Sequence, residues 1–360
     1  MKLKAKSPIE SHIPISHGGL LSKKISISGV LDFSSNISPA GIPNDIKKSI
    51  KYCLEKIENY PDANSTNLLS HLEKFTKISK SNLIIGNGAI EIIYNFCHSF
   101  LTKNTPVLIP IPTFGEYEAA SKLNNSKLLF FKTMDLTKNL HSFISKIPKN
   151  GFIFICNPNN PTGKLISNKN MLQIVHAAKR QNCMVFVDES FIELVPETNE
   201  SIISNVKKLD NLLVLRTFTK SFGLAGIRIG YAASSKHIIS ILKKIKIPWS
   251  VNSIAEYAAI TALQNTSHLQ KSLSIIKKES SFLRNKISLI DGFECIESST
   301  NFILIKTKYN STKLQNQLLE KKILVRDCKN FRGLNSHFIR VAIRSHKDNL
   351  KLVDALEKIK

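Results

Sequence analysis

Residues 217–230 read TFTKSFGLAGIRIG and follow directly on the apolar run NLLVLR at 211–216. A short apolar run that feeds into hydroxyl side chains and glycines is a buried strand ending in a turn. The turn holds one lysine, Lys220, with Thr217 and Thr219 before it and Arg228 eight residues after it. A solvated surface lysine needs no such surroundings. In an open α/β sheet, the carboxyl end of a strand is where ligands bind.

The strand belongs to a series. NLII (82–85), PVLIP (106–110), KLLFF (127–131), GFIFIC (151–156), CMVFVD (183–188) and IRIGYAA (227–233) are further candidates. Several are apolar without alternation, which predicts a mostly parallel sheet covered by helices on both faces. Helical stretches such as NKNMLQIVHAAKRQN (168–182) fall between them and complete a βαβ rhythm. The pattern changes after KIPWS (246–250). Two long helices (252–264 and 267–287) lead into short strands FECIE, NFILIK, ILVRD and HFIRVAI and a last helix from about 346. The predicted fold class is α/β: a large domain over 36–248 with a mostly parallel sheet, and a smaller α+β domain over 249–360. Residues 1–35 read as an N-terminal arm that packs with the smaller unit.

Composition narrows the function classes. The chain has 360 residues, 42% of them apolar, which suits a globular core. No apolar run approaches the ~18 residues of a membrane span, and the basic start lacks the apolar block of a secretory leader. No membrane partner is expected. A net charge of +24 suggests nucleic acid, yet only eight of the 51 basic residues are arginine. The lysines are scattered among Ile, Asn and Ser, a pattern of A/T-rich codons with no binding stripe, so no nucleic-acid partner is expected either. Six cysteines without CxxC or metal-ligand spacing point to a reduced, cytoplasmic protein that holds no metal.

Four strand-end turns carry the chemistry. GNGAIE (86–91) opens a helix, and the free amides of Ala89 and Ile90 after Gly88 suit an anion. CNPNNPTG (156–163) presents Asn160, DES (188–190) presents Asp188, and the fourth turn presents Lys220 with Thr217, Thr219 and Arg228. Together they ask for a planar, electron-poor aldehyde that bears a phosphate. A lysine condenses with an aldehyde once burial and nearby cations lower its pKa. Asp188 would keep a ring nitrogen protonated and make the ring an electron sink, while Asn160 would donate to a ring hydroxyl. Thr217, Thr219, Arg228 and the Ala89 and Ile90 amides would surround the phosphate. Each part matches pyridoxal 5′-phosphate.

With GNG, PTF, NNPTG, DES, TFTKSFGLAGIRIG and a late arginine in that order, the chain resembles the fold-type I pyridoxal-phosphate enzymes of the class I/II aminotransferase superfamily. The resemblance covers nearly the whole length. It implies that Lys220 carries the cofactor, that Asp188 pairs with the pyridinium and that Phe114 stacks on the ring. It also implies that Tyr60, in NYPD, reaches the phosphate across a homodimer interface and that Arg340, in HFIRVAI, clamps a substrate carboxylate.

Within the superfamily, SHGG (16–19), LDFSSNISPAGIP (31–43), VRDCKNFRGL (325–334) and DESF (188–191) look more like threonine-phosphate decarboxylases than histidinol-phosphate aminotransferases. By that similarity His17 and Arg326 grip the phosphate of a small phosphorylated amino acid and Asn36 lines the entrance. Phe191 stands where the aminotransferases have a tyrosine that binds the ring hydroxyl. Two stretches depart from the pattern: Leu20 follows the His-Gly-Gly, and Ala89 and Ile90 replace polar side chains. The expectation is decarboxylation of L-threonine 3-O-phosphate for cobalamin biosynthesis, with transamination of histidinol phosphate as the alternative. Which bond at Cα stands perpendicular to the ring decides between them.

Overall fold

The computed structural model describes residues 6–20, 29–196 and 199–359. Residues 1–5 and 21–28 of the predicted arm lie outside that range. The strands are β1 (Leu31–Asp32), β2 (Leu83–Gly86), β3 (Pro106–Ile111), β4 (Lys127–Lys132), β5 (Phe152–Cys156), β6 (Met184–Asp188), β7 (Leu212–Thr217) and β8 (Gly230–Ser234). They continue as β9 (Phe293–Cys295), β10 (Phe302–Thr307), β11 (Ile323–Leu324), β12 (Arg326–Asp327) and β13 (Phe338–Ala342).

Seven strands form the large sheet in the order β2-β8-β7-β6-β5-β3-β4. All run the same way except β8, which is antiparallel to both neighbours. Successive side chains point to opposite faces, and both faces are apolar. Ile153, Ile155, Val185, Val187, Leu212 and Val214 feed one core cluster, while Phe154, Phe186, Leu213 and Leu215 feed the other. This is why the strands lack alternation in sequence. Each buried Leu, Ile, Val or Phe contributes about 1.5–3 kcal/mol.

The helices between strands follow from spacing and caps. In Asn168–Arg180, Met171, Ile174, Val175 and Ala178 are buried at helical intervals, and the Ser167 hydroxyl accepts from the Asn170 amide. The predicted end at 182 is two residues late because Asn182 turns into the left-handed region at φ 52°.

The reversal of β8 places the site. Its first residue, Gly230, lies opposite Gly86 and Thr217, the last residues of β2 and β7. The chain therefore enters β8 at the same sheet edge where the other strands end. The predicted strand over 227–233 starts three residues early. Arg228 lies outside it, with φ 64°, a backbone conformation uncommon for a side chain of this size and concentrated at functional sites.

The C-terminal part carries a four-stranded antiparallel sheet, β12-β13-β10-β9. The stretch ILVRD, expected as one strand, is split: β11 pairs in parallel with β1, and β12 pairs with β13. Phe33 just after β1 is fully buried in this unit's core and bonds through its backbone to Leu324 and Ala342, each at 2.8 Å. The first predicted helix of the small unit, Ser253–Gln264, packs elsewhere. Its Ala255, Ala258, Ala259 and Ala262 join the core under the large sheet. The next helix, Ser267–Ile287, puts Ile276, Leu283 and Ile287 into the small unit's core. On this packing we propose a division near 265, against the 249 expected from sequence.

Candidate active site

A cavity of about 410 Å³ opens at the carboxyl edge of the large sheet and is closed by β12, β13 and the arm. The side chains of Lys220, Arg228, Arg326 and Arg340 line it together with His17. Among the described residues, Asp188 is the one carboxylate in the wall. Such an excess of cations calls for a ligand with several negative charges.

Lys220 sits in the four-residue helix Phe218–Ser221 that follows β7, and the Thr217 hydroxyl caps this helix by accepting from the Thr219 amide at 3.1 Å. The same hydroxyl donates to the Ile229 carbonyl at 3.1 Å. Thr217 thus lines the cavity, but its proton is committed to the turn and is not offered to a phosphate. The Lys220 amine is pulled down to about 8, first by burial and then by Arg340 and Arg228, with Asp188 and Asp32 opposing. Its Nζ lies 5.7 Å from the Phe191 ring centroid.

Asp188 ends β6 and is 4% exposed. Its Oδ1 accepts from the Ser190 amide at 2.9 Å, and its Oδ2 accepts from the Tyr117 hydroxyl at 2.7 Å. Burial raises its pKa while those two donors oppose the rise. Both partners are neutral, so a cationic ring nitrogen beside this carboxylate would supply the charge its surroundings lack. Tyr117 has no counterpart among the predicted residues. It is fully buried, stacks on Phe154 at 5.3 Å and meets Phe114 edge-on at 5.6 Å. Its sequence signal was weak: a tyrosine three residues after Phe114, next to a run that reads as ordinary core.

The helix Gly88–Phe100 starts at the cavity; the side chain of its N-cap residue Asn87 makes no cap bond, and Glu91 Oε2 accepts only from the Asn87 amide at 2.7 Å. Ala89 and Ile90 line the wall, leaving their amides for an anion. Gly88 itself lies beneath the Arg228 guanidinium. At φ +76°, a Cβ there would collide with that group, so the glycine clears room for the arginine and does not form the wall. Arg228 is fixed by Nη1 donating to the Ala225 carbonyl at 3.0 Å and to the Thr219 hydroxyl at 3.5 Å. Gly230 allows a second close approach, since a Cβ there would stand 2.7 Å from the Ala89 nitrogen.

On the opposite wall, Arg326 and Arg340 face each other across β12 and β13. Arg340 donates through Nη1 to Asn160 Oδ1 and through Nη2 to the Ser34 carbonyl at 2.8 Å. Burial first, with Arg326 adding to it, pulls Arg340 down to about 10. Arg326 donates to the Ser16 carbonyl at 2.7 Å and to Asn330 Oδ1 at 3.1 Å. Like charges directly opposed in a ladder are destabilising unless an anion lies between them. Asn36 is 1% exposed, and among the described residues both polar atoms of its amide are buried without a partner, as is Nε of Arg340. His17 bonds through Nε2 to Glu116 Oε1 at 2.7 Å, and its ring lies 5.9 Å from that of Phe114.

Thus the fold brings His17, Asn36, Ala89, Ile90, Phe114, Asn160, Asp188, Thr217, Thr219, Lys220, Arg228, Arg326 and Arg340 to one cavity. Tyr60 is elsewhere: 84% exposed, it packs on Trp249 at 5.2 Å. Sequence reasoning also missed the buried brace behind Asp188, where Arg216 bonds to Glu189 at 3.0 Å and to the Ser201 hydroxyl at 2.6 Å.

These donors fit pyridoxal 5′-phosphate. Amides and Arg228 are available for a phosphate, Asp188 for a protonated ring nitrogen, and a lysine lowered to about 8 for an aldehyde. The sequence profile of the family "Aminotransferase class I and II" matches residues 28–357. A histidinol-phosphate aminotransferase of Methanococcus aeolicus is 33% identical over 337 residues, covering 92% of this chain and 90% of its own. A Caldanaerobacter subterraneus protein, provisionally named threonine-phosphate decarboxylase, is 35% identical over 327 residues, 89% of this chain and 88% of its own. Among solved structures, the histidinol-phosphate aminotransferase from Clostridium acetobutylicum superposes with a TM-score of 0.82 at 32% identity, covering 91% and 98% of the two chains. The chain therefore belongs to the class I and II aminotransferase family, an enzyme family whose cofactor is pyridoxal 5′-phosphate.

Proposed function

We propose that the protein removes the carboxylate of L-threonine 3-O-phosphate as carbon dioxide and yields (R)-1-amino-2-propanol phosphate for the cobalamin linker. The observation that carries this reading is the facing pair Arg326 and Arg340, in a wall with a single carboxylate among the described residues. A substrate with both a phosphate and a carboxylate engages both guanidiniums at once and leaves Arg228 to the cofactor's own phosphate. Histidinol phosphate has no carboxylate of its own to set against Arg340, and in a transamination only the second substrate, 2-oxoglutarate, would bring one. Phe191, buried against Phe302 at 5.1 Å, adds support, since it offers no hydroxyl to a ring oxygen.

Pyridoxal phosphate, when bound, supplies an electron sink for a bond broken at the substrate's Cα. The chain's residues do the rest. Arg340 holds the carboxylate with a fixed fork of donors, and Arg326 with His17 holds the phosphate, so two anchors set the rotation about Cα. Lys220 Nζ, whose amine and ammonium forms coexist near pH 8, returns a proton to Cα as the ammonium. Asp188 stays oriented through Tyr117 and Ser190.

Transamination of histidinol phosphate is the second reading, favoured by the relatives of that name. Supplying the holoenzyme with each phosphorylated substrate and 2-oxoglutarate separates the two. Carbon dioxide from threonine phosphate without glutamate supports decarboxylation; glutamate formed from histidinol phosphate sinks it. We also propose a homodimer, on the exposed apolar set Ile57, Tyr60, Ile247 and Trp249, and a cytoplasmic location, on six unpaired cysteines of which five are buried.

A further inference from the structure

The arm meets the large domain at one buried carboxylate. Glu116 begins the helix Glu116–Lys122, two residues after Phe114, and is 6% exposed. Its Oε1 lies 2.7 Å from His17 Nε2, and its Oε2 accepts from the Tyr94 hydroxyl at 2.6 Å. Burial opposes a charge on Glu116, but the hydrogen bonds from His17 and Tyr94 outweigh it and hold the carboxyl below its usual range. An ionised carboxylate only accepts, so the hydrogen in the His17 bond belongs to Nε2. The Phe114 ring lies against the imidazole, tilted by 40° with centroids 5.9 Å apart. Ser16, the neighbour of His17, accepts from Arg326, so both residues assigned to the substrate's phosphate are tied at one point of the arm.

Glu116 does not line the cavity, and nothing in cofactor binding asks for a buried carboxylate there. One of its oxygens holds a cavity-lining imidazole while the other is held by Tyr94, in the way an outer carboxylate orients a ligating histidine at other sites. We propose that Glu116, steadied by Tyr94, is a positioning residue that sets the preference for phosphorylated substrates by fixing His17 at the cavity mouth. The inference rests on His17 and Arg326 binding the substrate's phosphate, as read above.

The test is a double-mutant cycle on the holoenzyme. Dissociation constants for L-threonine 3-O-phosphate and L-threonine are read from the change in coenzyme absorbance. Glu116→Gln raises the ratio of the two constants on the order of tenfold, the loss expected from one charge-assisted hydrogen bond. Tyr94→Phe moves the ratio the same way by less, and Glu116→Gln has no further effect in a His17→Ala background. An equal shift for both ligands, or the full effect persisting without His17, overturns the proposal. Should Glu116→Gln fail to fold, the cycle of Tyr94→Phe with His17→Ala decides the same question. Carbon dioxide release by the wild type is a separate measurement. If the enzyme transaminates histidinol phosphate, the cycle is run on histidinol phosphate against histidinol. No preference for either phosphorylated compound over its unphosphorylated partner also overturns it.

Discussion

The titration of Lys220 can be tested without any bound ligand. A lysine amine ordinarily titrates near 10.5; burial, then the Arg340 and Arg228 guanidiniums, bring this one to about 8. At about pH 7.5, roughly a quarter of Lys220 amines are then neutral, against about one in a thousand at the ordinary value. The expected gain in reactivity is therefore on the order of two hundredfold. Pulsed acetylation of the apoenzyme at a series of pH values, followed by peptide mass spectrometry, reads it directly. Lys220 should reach half its limiting rate near pH 8, well ahead of solvent-exposed lysines in the same digest. Arg340→Gln should move that half-point upward, because it removes the leading charge that disfavours the ammonium. Stability carries the same signature. The fold holds Lys220 below its open-chain value, so between about pH 8 and 10.5 the unfolded chain binds more protons and stability rises with pH. Protonated Lys220 costs the fold at most about 3 kcal/mol, so the advantage of a Lys220→Met variant should shrink across that window. A Lys220 that is labelled in step with exposed lysines, or a half-point indifferent to Arg340→Gln, refutes the reasoning.

Tyr117→Phe removes one of two donors to Asp188 and should weaken cofactor binding by about 1–2 kcal/mol in titration calorimetry; an unchanged affinity would show that Asp188 needs no such support. Gly88→Ala forces a side chain into φ +76° against Arg228 and should cost about 1–3 kcal/mol of cofactor affinity, read by equilibrium dialysis. Ile247→Asp places a charge in the exposed apolar set and should shift sedimentation from dimer to monomer; a chain sedimenting as an unaltered dimer removes that set from the interface.

Much of the large sheet was legible because its strands are buried on both faces, and continuous apolar runs report that directly. The four strand-end turns could be ordered from sequence for the same reason: each turn follows a recognisable strand. What could not be read was direction and partnership. Nothing in IRIGYAA distinguishes an antiparallel strand from a parallel one, and the reversal of β8 is what swings Arg228 onto the carboxyl edge. ILVRD reads as one strand because its residues suit one; only the third dimension divides it between β1 and β13. The Tyr117 bond to Asp188 spans 71 residues and the His17 bond to Glu116 spans 99, so neither leaves a local trace. Thr217 shows the converse. A hydroxyl at a strand end suggests a ligand donor, yet the backbone of its own turn takes the proton. The helix Ser253–Gln264 misled for a compositional reason, since alanine-rich helices suit either core equally well.

Covalent attachment at Lys220 is the claim on which the rest depends. Borohydride reduction of the holoenzyme, proteolysis and mass spectrometry should find the mass of reduced pyridoxal phosphate on the peptide containing Lys220 and nowhere else, with none recovered from Lys220→Ala. The coenzyme fixed to another lysine, or absent from the wild-type digest, contradicts the account.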